Sequence, residues 1–288
     1  MMMPIVETFF DPDTANATHL VRDPESPACA VIDTVLDFDA RSGRTATRAA
    51  DQLIERVTQE GLRVEWVLES HIHADHMTAA PYLKDRLGGR IGIGAGVVEV
   101  QRHFATVFNA DTSFACDGSQ FDHLFADDET FRIGGLEGRV LHSPGHTPAC
   151  AVYVIGDAAF TGDTLFMPDS GTARCDFPAG DARTLYRSIR RILALAPETR
   201  LFINHDYGAG GTRDPAWQTS VAEQRAANIH VRDEIDEEEF VALREARDAT
   251  LEVPRLILPA IQVNMCAGRL PEPEDNGVRY LKLPLNSF

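Results

Sequence analysis

Four side chains of metal-binding type lie within six residues, and few folds accommodate such a cluster. The segment LESHIHADHMTAAPYLKDRLGG, residues 68–89, contains His71, His73, Asp75 and His76. Buried imidazoles and carboxylates need partners or a metal to offset their desolvation, which makes a purely structural role improbable for all four. His71 and His73 point the same way in an extended turn, because side chains alternate with period 2. Asp75 and His76 follow the bend into a helix, so one motif can serve two adjacent metal positions.

Residues of the same kind follow three further apolar segments. His146 lies in SPGHT, Asp163 in TGDT and His205 in INHDYG, each where a predicted strand ends. Sites of α/β proteins form where strand ends meet along one edge of a sheet. We therefore expect all seven residues to converge, with Asp163 as a bridge between two metal positions. Imidazole and carboxylate together suit Zn, Fe, Mn or Ni, and not Ca or Mg.

The predicted elements follow the order strand-rich, helix, strand, helix, and this order then repeats. Residues 5–39 predict short strands, 45–61 a helix, 62–70 a strand and 79–89 a helix. Hairpins are predicted within 131–163, one turning at Gly156–Asp157, then a helix at 181–196 and a strand at 199–208. An acidic helix at 232–248 and a Pro-rich tail follow. These patterns predict two similar halves in one domain over 1–288, with a helical, Pro-rich extension from about residue 217.

Charge and cysteine content narrow the class of protein. The formal net charge of −17 should repel phosphate backbones and anionic lipid, so we expect neither a nucleic-acid nor a membrane partner. The five cysteines are odd in number and include no CxxC pair, which favours a reducing compartment. The N-terminus has no basic region before an apolar run, so we expect a cytoplasmic protein. Cys175 follows Arg174, and either a reactive thiol or a small buried residue fits it.

HIHADH, SPGHT, FTGD and NHD, in this order, resemble the metallo-β-lactamase fold superfamily from about Val6 to Tyr207. The resemblance implies an α+β fold, an αββα sandwich of two packed mixed sheets with helices on the outer faces. GDTLFMPDSGTARCDFPAGDARTLYRSI, NHDYG and EQRAANIHV resemble more closely the persulfide dioxygenase (sulfur dioxygenase) family, a glyoxalase-II-like branch. Its members oxidise glutathione persulfide with O₂ and water to sulfite and glutathione.

That branch implies one Fe(II) per chain, held by His71, His146 and Asp163. Two imidazoles and one carboxylate leave positions for O₂ and a substrate sulfur. The second-metal or supporting residues would then be His73, Asp75, His76 and His205. The alternative is a binuclear zinc hydrolase of glutathione thioesters, like glyoxalase II, since all seven ligand positions are present. A non-catalytic metal sensor or scaffold is disfavoured, because structural zinc sites are closed and usually Cys-rich.

Glutathione carries two carboxylates, for which arginine is the best clamp. We expect Arg174 of GTARCDF to bind substrate, with a structural ion pair to Asp176 as the rival interpretation. The other candidates lie at or after the NHDYG segment, where related enzymes place substrate-binding residues: Tyr207, Arg213, Arg225, Asn228 and His230. The resemblance also implies a homodimer.

Overall fold

The computed structural model describes residues 3–287. The first half contains, in order, β1 (Ile5–Asp11), β2 (Asn16–Arg22), β3 (Ala28–Ile32), β4 (Asp37–Asp39), β5 (Arg44–Ala46), α1 (Arg48–Gln59), β6 (Arg63–Leu68), α2 (Ala80–Leu87), β7 (Arg90–Gly94), α3 (Val97–Val107) and β8 (His123–Phe125). The second half contains β9 (Thr130–Ile133), β10 (Leu136–His142), β11 (Ala151–Ile155), β12 (Ala158–Phe160), α4 (Ala182–Ile192), β13 (Arg200–Phe202), α5 (Gly208–Gly211), β14 (Gln218–Ser220), α6 (Val221–Ala227), α7 (Glu237–Asp248) and α8 (Ile257–Asn264).

Two mixed sheets organise these strands. The first has the order β1-β2-β3-β6-β7-β8 and the second β14-β13-β12-β11-β10-β9, while β4 and β5 form a separate hairpin. Strands β3, β6, β7 and β8 run parallel to one another. In the second sheet β10 and β12 are both antiparallel to β11, and β13 is parallel to β12. Strands β10, β12 and β13 therefore end at the same edge, and their three following loops begin there.

The apolar side chains form three layers of core. One lies between the sheets and includes Leu68, Phe125 and Tyr153. A second lies between the first sheet and helices α1, α2, α3 and α8, and the third between the second sheet and helices α4, α6 and α7. The predicted αββα sandwich is thus confirmed. It arises because each sheet buries both faces, one against the other sheet and one against amphipathic helices.

Several local predictions match the observed elements closely. Helix α1 buries Ala50, Leu53 and Val57, which are spaced for one helical face. Strands β11 and β12 form the predicted hairpin, with Gly156 at φ 60° in its turn. Asp181 is the N-cap of helix α4, and its carboxylate accepts a hydrogen bond from the Thr184 amide.

The C-terminal part is more integrated than the sequence indicated. Strand β14 adds an antiparallel edge to the second sheet directly after Trp217, before the chain becomes helical. Helix α8 lies in the segment expected to be a Pro-rich tail and buries Ile257, Ile261 and Val263 in the first core. No helix within residues 3–287 is long and apolar enough to cross a membrane.

Candidate metal centre

The seven predicted ligand residues meet at one edge of the sandwich. Six of them are buried, and Asp75 is half-buried. Their imidazole rings are neighbours around the centre. The ring centroids are 5.1 Å apart for His71 and His146, and 5.9 Å apart for His76 and His205. The loops that carry them follow β6, β10, β12 and β13, as the strand directions require.

His71, His146 and Asp163 form the first of two ligand groups. Their potential ligand atoms all lie within 4.8 Å of one another. The Asp163 Oδ2 atom is 3.7 Å from His71 Nε2 and 3.8 Å from His146 Nε2. Each imidazole is fixed by its other nitrogen, since His71 Nδ1 lies 2.9 Å from Ser70 Oγ and His146 Nδ1 donates to the Arg174 carbonyl at 2.8 Å. Three nitrogen and oxygen donors therefore face one point from anchored side chains.

Two backbone features hold this first group in place. Gly162 precedes Asp163 at φ 52°, and a Cβ there would lie 2.5 Å from Ser70 Oγ. Only glycine permits that approach, so it sets how closely the Asp163 loop meets the His71 loop. The GTARCDF segment orients His146 through the Arg174 carbonyl, and Phe177 packs edge-on against the imidazole at 5.1 Å.

His73, Asp75, His76 and His205 form the second group, also with ligand atoms within 4.8 Å. His205 Nε2 lies 2.8 Å from Asp75 Oδ2 and 3.6 Å from Asp163 Oδ1. Asp163 thus faces both groups, one oxygen toward each, as expected of a bridge. His76 Nδ1 and His205 Nδ1 donate to the carbonyls of Met77 and Ala15, both at 3.2 Å.

Two acidic residues that the sequence did not single out fix His73. Its Nε2 atom is 3.0 Å from Asp33 Oδ1 and 3.3 Å from Glu69 Oε2, all fully buried. This arrangement leaves His73 Nδ1 toward the centre, in the way a carboxylate orients a ligating histidine. Asp33 directly follows β3 and has a φ of 55°, and the parallel neighbour of β3, strand β6, leads into Glu69. The sequence signal that could have identified Asp33 is an aspartate that directly follows an apolar strand.

Burial and neighbouring charges shift the titration of these groups. Burial lowers the pKa of His71 well below 6.5 and that of His76 to about 3, so both are neutral and ready to ligate. Burial raises the pKa of Asp163. For His205, burial is outweighed by Asp75 and Asp163, which raise its pKa to about 9. Burial also opposes charge on His73, but Asp33 and Glu69 raise its pKa well above the ordinary value.

The residues present fit a bound metal. Within residues 3–287, buried side-chain atoms without a hydrogen-bond partner include His73 Nδ1, His76 Nε2 and Asp163 Oδ1. Buried polar atoms are otherwise nearly always paired, and these three belong to the second ligand group or, for Asp163 Oδ1, face it. The imidazoles and carboxylates of the two groups together form a donor set that suits Fe or Zn.

A cleft of about 830 Å³ opens over the centre, reaching His146 and Asp163. Of the predicted substrate-binding residues, Arg174, Tyr207 and His230 line this cleft, and Phe166, Phe177 and Ile229 give it an apolar wall. The structure does not bring the other candidates to the lining. Arg225 pairs with Asp233 on the surface, and buried Asn228 ties its own segment to Gly171 and Gln224. Arg213 lies just behind Asp169.

Arg174 and Arg213, which the sequence predicted to bind substrate, both form ion pairs within the chain. Arg174 forms a bidentate pair with Asp176, both N–O distances being 2.6 Å, which was the rival interpretation, and also donates to the Glu252 carbonyl. Arg213 bonds Asp169 and Asp206. These guanidiniums hold the loops around the cleft, and few of their donors are left for a ligand.

Cys175 is buried in the core between the second sheet and its helices. Its amide donates to Asp248 Oδ2 at 2.8 Å, and burial raises the pKa of the thiol far above its ordinary range. A thiol in that environment is not a nucleophile at neutral pH. The small buried residue, rather than the reactive thiol, is the interpretation that this environment favours.

Comparison with known proteins assigns the family. The family model of the metallo-beta-lactamase superfamily matches residues 15–205, which span every predicted ligand. The chain belongs to the metallo-β-lactamase superfamily. A probable metallo-hydrolase of Burkholderia pseudomallei is 57% identical over 293 residues, covering 98% of this chain and 99% of the relative. A β-lactamase hydrolase-like protein of Xylella fastidiosa is 56% identical. The match covers 99% of this chain and 65% of that relative's length.

The superfamily members with more specific names differ in their similarity to this chain. Glyoxylase B2 of Dictyostelium discoideum is 47% identical, covering 98% of this chain and 97% of the relative. The human mitochondrial persulfide dioxygenase ETHE1 is 31% identical, covering 92% of this chain and 89% of the relative. The crystal structure of ETHE1 from Myxococcus xanthus matches with a TM-score of 0.73 at 28% identity, covering 92% of this chain and all of that one. The persulfide dioxygenase resemblance is therefore present but more distant than that to proteins named as hydrolases or glyoxylases.

Proposed function

We propose that this protein is an Fe(II)-dependent persulfide dioxygenase with glutathione persulfide as substrate. The observation that carries the proposal is the first ligand group, in which Asp163 Oδ2 lies within 3.8 Å of both His71 Nε2 and His146 Nε2. Two imidazoles and one carboxylate on one face are typical of non-haem iron oxygenases. The similarity to ETHE1 in sequence and structure supports the same reaction class.

The reaction consumes one persulfide, one O₂ and one water, and it gives glutathione, sulfite and two protons. The sulfane sulfur is oxidised by four electrons, O₂ accepts them, and the S–S bond breaks. Iron held by His71, His146 and Asp163 would supply the redox chemistry and a position for the terminal sulfur. The apolar side chains Phe166 and Phe177 line the cleft beside these ligands and exclude water from the sulfur.

The remaining polar residues orient the ligands. Asp33 and Glu69 hold His73, and the Arg174 carbonyl holds His146. Fixed ligand directions reduce the reorganisation needed when substrate binds. The cytoplasmic location and the homodimer remain predictions.

A direct test is oxygen uptake by anaerobically purified protein supplied with glutathione persulfide, with sulfite measured in the same reaction. We expect one sulfite per O₂ and no cleavage of a glutathione thioester. Asp163→Ala should abolish uptake, whereas Asp85→Ala, which removes an exposed carboxylate on α2, should leave it unchanged. Thioester cleavage without oxygen uptake would overturn the proposal.

The second candidate is a two-metal hydrolase of glutathione thioesters. The second ligand group favours it, because His73 Nδ1 and His76 Nε2 are buried without a hydrogen-bond partner, beside Asp75 and His205. His71, His146 and Asp163 would hold one metal ion and His73, Asp75, His76 and His205 a second, and these ions would supply Lewis-acid chemistry for hydrolysis of the thioester. The similarity to glyoxylase B2 agrees with this candidate. It requires both ligand groups to be occupied, whereas the dioxygenase requires only the first.

A further inference from the structure

Two arginines line the cleft over the metal centre without an ion-pair partner. Arg247 lies in the last turn of α7, and Arg255 lies just before α8. Both are exposed, and within residues 3–287 neither has an acidic oxygen within 4.0 Å. The side-chain hydrogen bond of Arg247 is a long one, 3.4 Å to Thr250 Oγ1.

The other charged side chains of the cleft lining have ion-pair partners or belong to the metal centre. Arg174 pairs with Asp176 and buried Arg244 with Asp248. Asp169 pairs with Arg213, which also pairs with Asp206, and Asp13 lies 3.5 Å from Arg48, which also pairs with Asp37. The remaining carboxylates, Asp75 and Asp163, belong to the metal centre.

The charged side chains without an ion-pair partner at this mouth are therefore two arginines. Within residues 3–287 other exposed arginines, such as Arg102, also have no acidic oxygen within 4.0 Å, so it is their place in the cleft lining that distinguishes Arg247 and Arg255. The Arg247 charge also extends into the cleft, where, after burial and the charge of Arg244, it helps to lower the pKa of His230 to about 4.

We infer that Arg247 and Arg255 are the specificity-determining residues that bind the carboxylates of an acidic thiol-derived substrate. The inference rests on the proposed function for the identity of the sulfur group. The planar guanidinium pairs with a carboxylate through two parallel hydrogen bonds, and the two arginines offer two such positions. The acidic end of the substrate would lie at the mouth and the sulfur at the metal, across the apolar wall.

Isothermal titration of the metal-loaded protein separates carboxylate binding from turnover. The probes are glutathione and glutathione diethyl ester, which keeps the thiol and blocks both carboxylates. Arg247→Gln and Arg255→Gln should each weaken glutathione binding roughly 5- to 10-fold, as expected for a partly exposed charge-assisted pair. Binding of the diester should change less than about twofold, because no carboxylate is present to pair. Arg102→Gln is the matched control, since Arg102 is exposed on α3 and does not line the cleft.

Three outcomes would overturn the inference. These are equal binding of glutathione and its diester by the wild type, unchanged glutathione binding in a variant that combines Arg247→Gln and Arg255→Gln, and an equal loss of binding for both probes in the variants. The last would indicate a structural role. Failure of the proposed function gives a different result, namely no oxygen uptake by a protein that still prefers glutathione over the diester through these two arginines.

Discussion

Each histidine of the centre is held in its orientation by the ring nitrogen that does not face the metal position. His76, His146 and His205 donate Nδ1–H to backbone carbonyls, and His73 uses Nε2 toward two carboxylates. The sequence identified the ligand residues, but it could not give these second contacts. Their partners are carbonyls and acids distant along the chain, and a carbonyl has no residue signature.

The arginines show the same limit of prediction from sequence even more clearly. Arg174 was the expected substrate residue, and Asp176 two positions away was named as its rival partner, which it proves to be. Arg247 and Arg255 were not singled out, because nothing in their local sequence marks them as unpaired. Whether an arginine is free depends on which acids the fold brings within 4 Å, and that is a property of tertiary structure.

A buried histidine outside the centre gives a pH-dependent prediction. His19 lies in β2 between Phe160 and Phe202, with Nε2 donating to the Ile203 carbonyl, and burial lowers its pKa to about 4. The unfolded chain binds this proton near pH 6.5, so the stability from neutral His19 is present above that pH. It is lost as pH falls toward 4, by about 2–3 kcal/mol between pH 7 and pH 4.5.

The check is urea unfolding of the wild type and His19→Gln across this pH range. The glutamine cannot be protonated, so the difference in unfolding free energy between the two proteins should narrow as pH falls. Parallel curves from pH 7 to pH 4.5 would show that His19 does not contribute.

At the scale of secondary-structure elements, the strands that carry the site could be predicted from the sequence. Apolar strands ending in His or Asp were readable for β6, β10, β12 and β13, and their loops do converge. Helix α8 was not predicted, because it is apolar around most of its circumference and contains Pro259. A buried helix of that kind lacks the 3.6-residue alternation that marks a surface helix.

Helix α8 contributes to the metal centre through Asn264 at its last position. Its amide donates to the carbonyls of His73 and His76, both at 2.8 Å, and its oxygen accepts from the Thr78 amide at 2.9 Å. Asn264→Ala leaves these buried groups unpaired, so the free energy of unfolding should fall by about 3 kcal/mol. Chemical denaturation measures this loss.

Asn276→Ala provides the control for that experiment. Asn276 is exposed and bonds the Tyr280 hydroxyl, so its loss should change stability by less than about 0.5 kcal/mol. Equal stability of Asn264→Ala and the wild type would contradict a supporting role for α8. In that event, the loop of residues 71–76 would hold its shape without it.

At the scale of the whole molecule, two sheets bring four loops to one edge, and C-terminal helices close one side of the cleft. The net charge of −17 led us to expect that positive groups are concentrated locally if an anion is to bind. The sequence placed that concentration at the GTARCDF segment, whereas the unpaired charges lie on α7 and before α8. The fold pairs the nearer arginine internally and leaves the farther ones free.

The central claim is that the first ligand group alone carries the metal. Elemental analysis of anaerobically purified wild type, His146→Asn and His76→Asn tests it most directly, because the two variants remove one ligand from each group. We predict one iron per chain in the wild type and in His76→Asn, and loss of the iron in His146→Asn. Two zinc ions per wild-type chain, with one lost in His76→Asn, would contradict the account and favour the two-metal hydrolase.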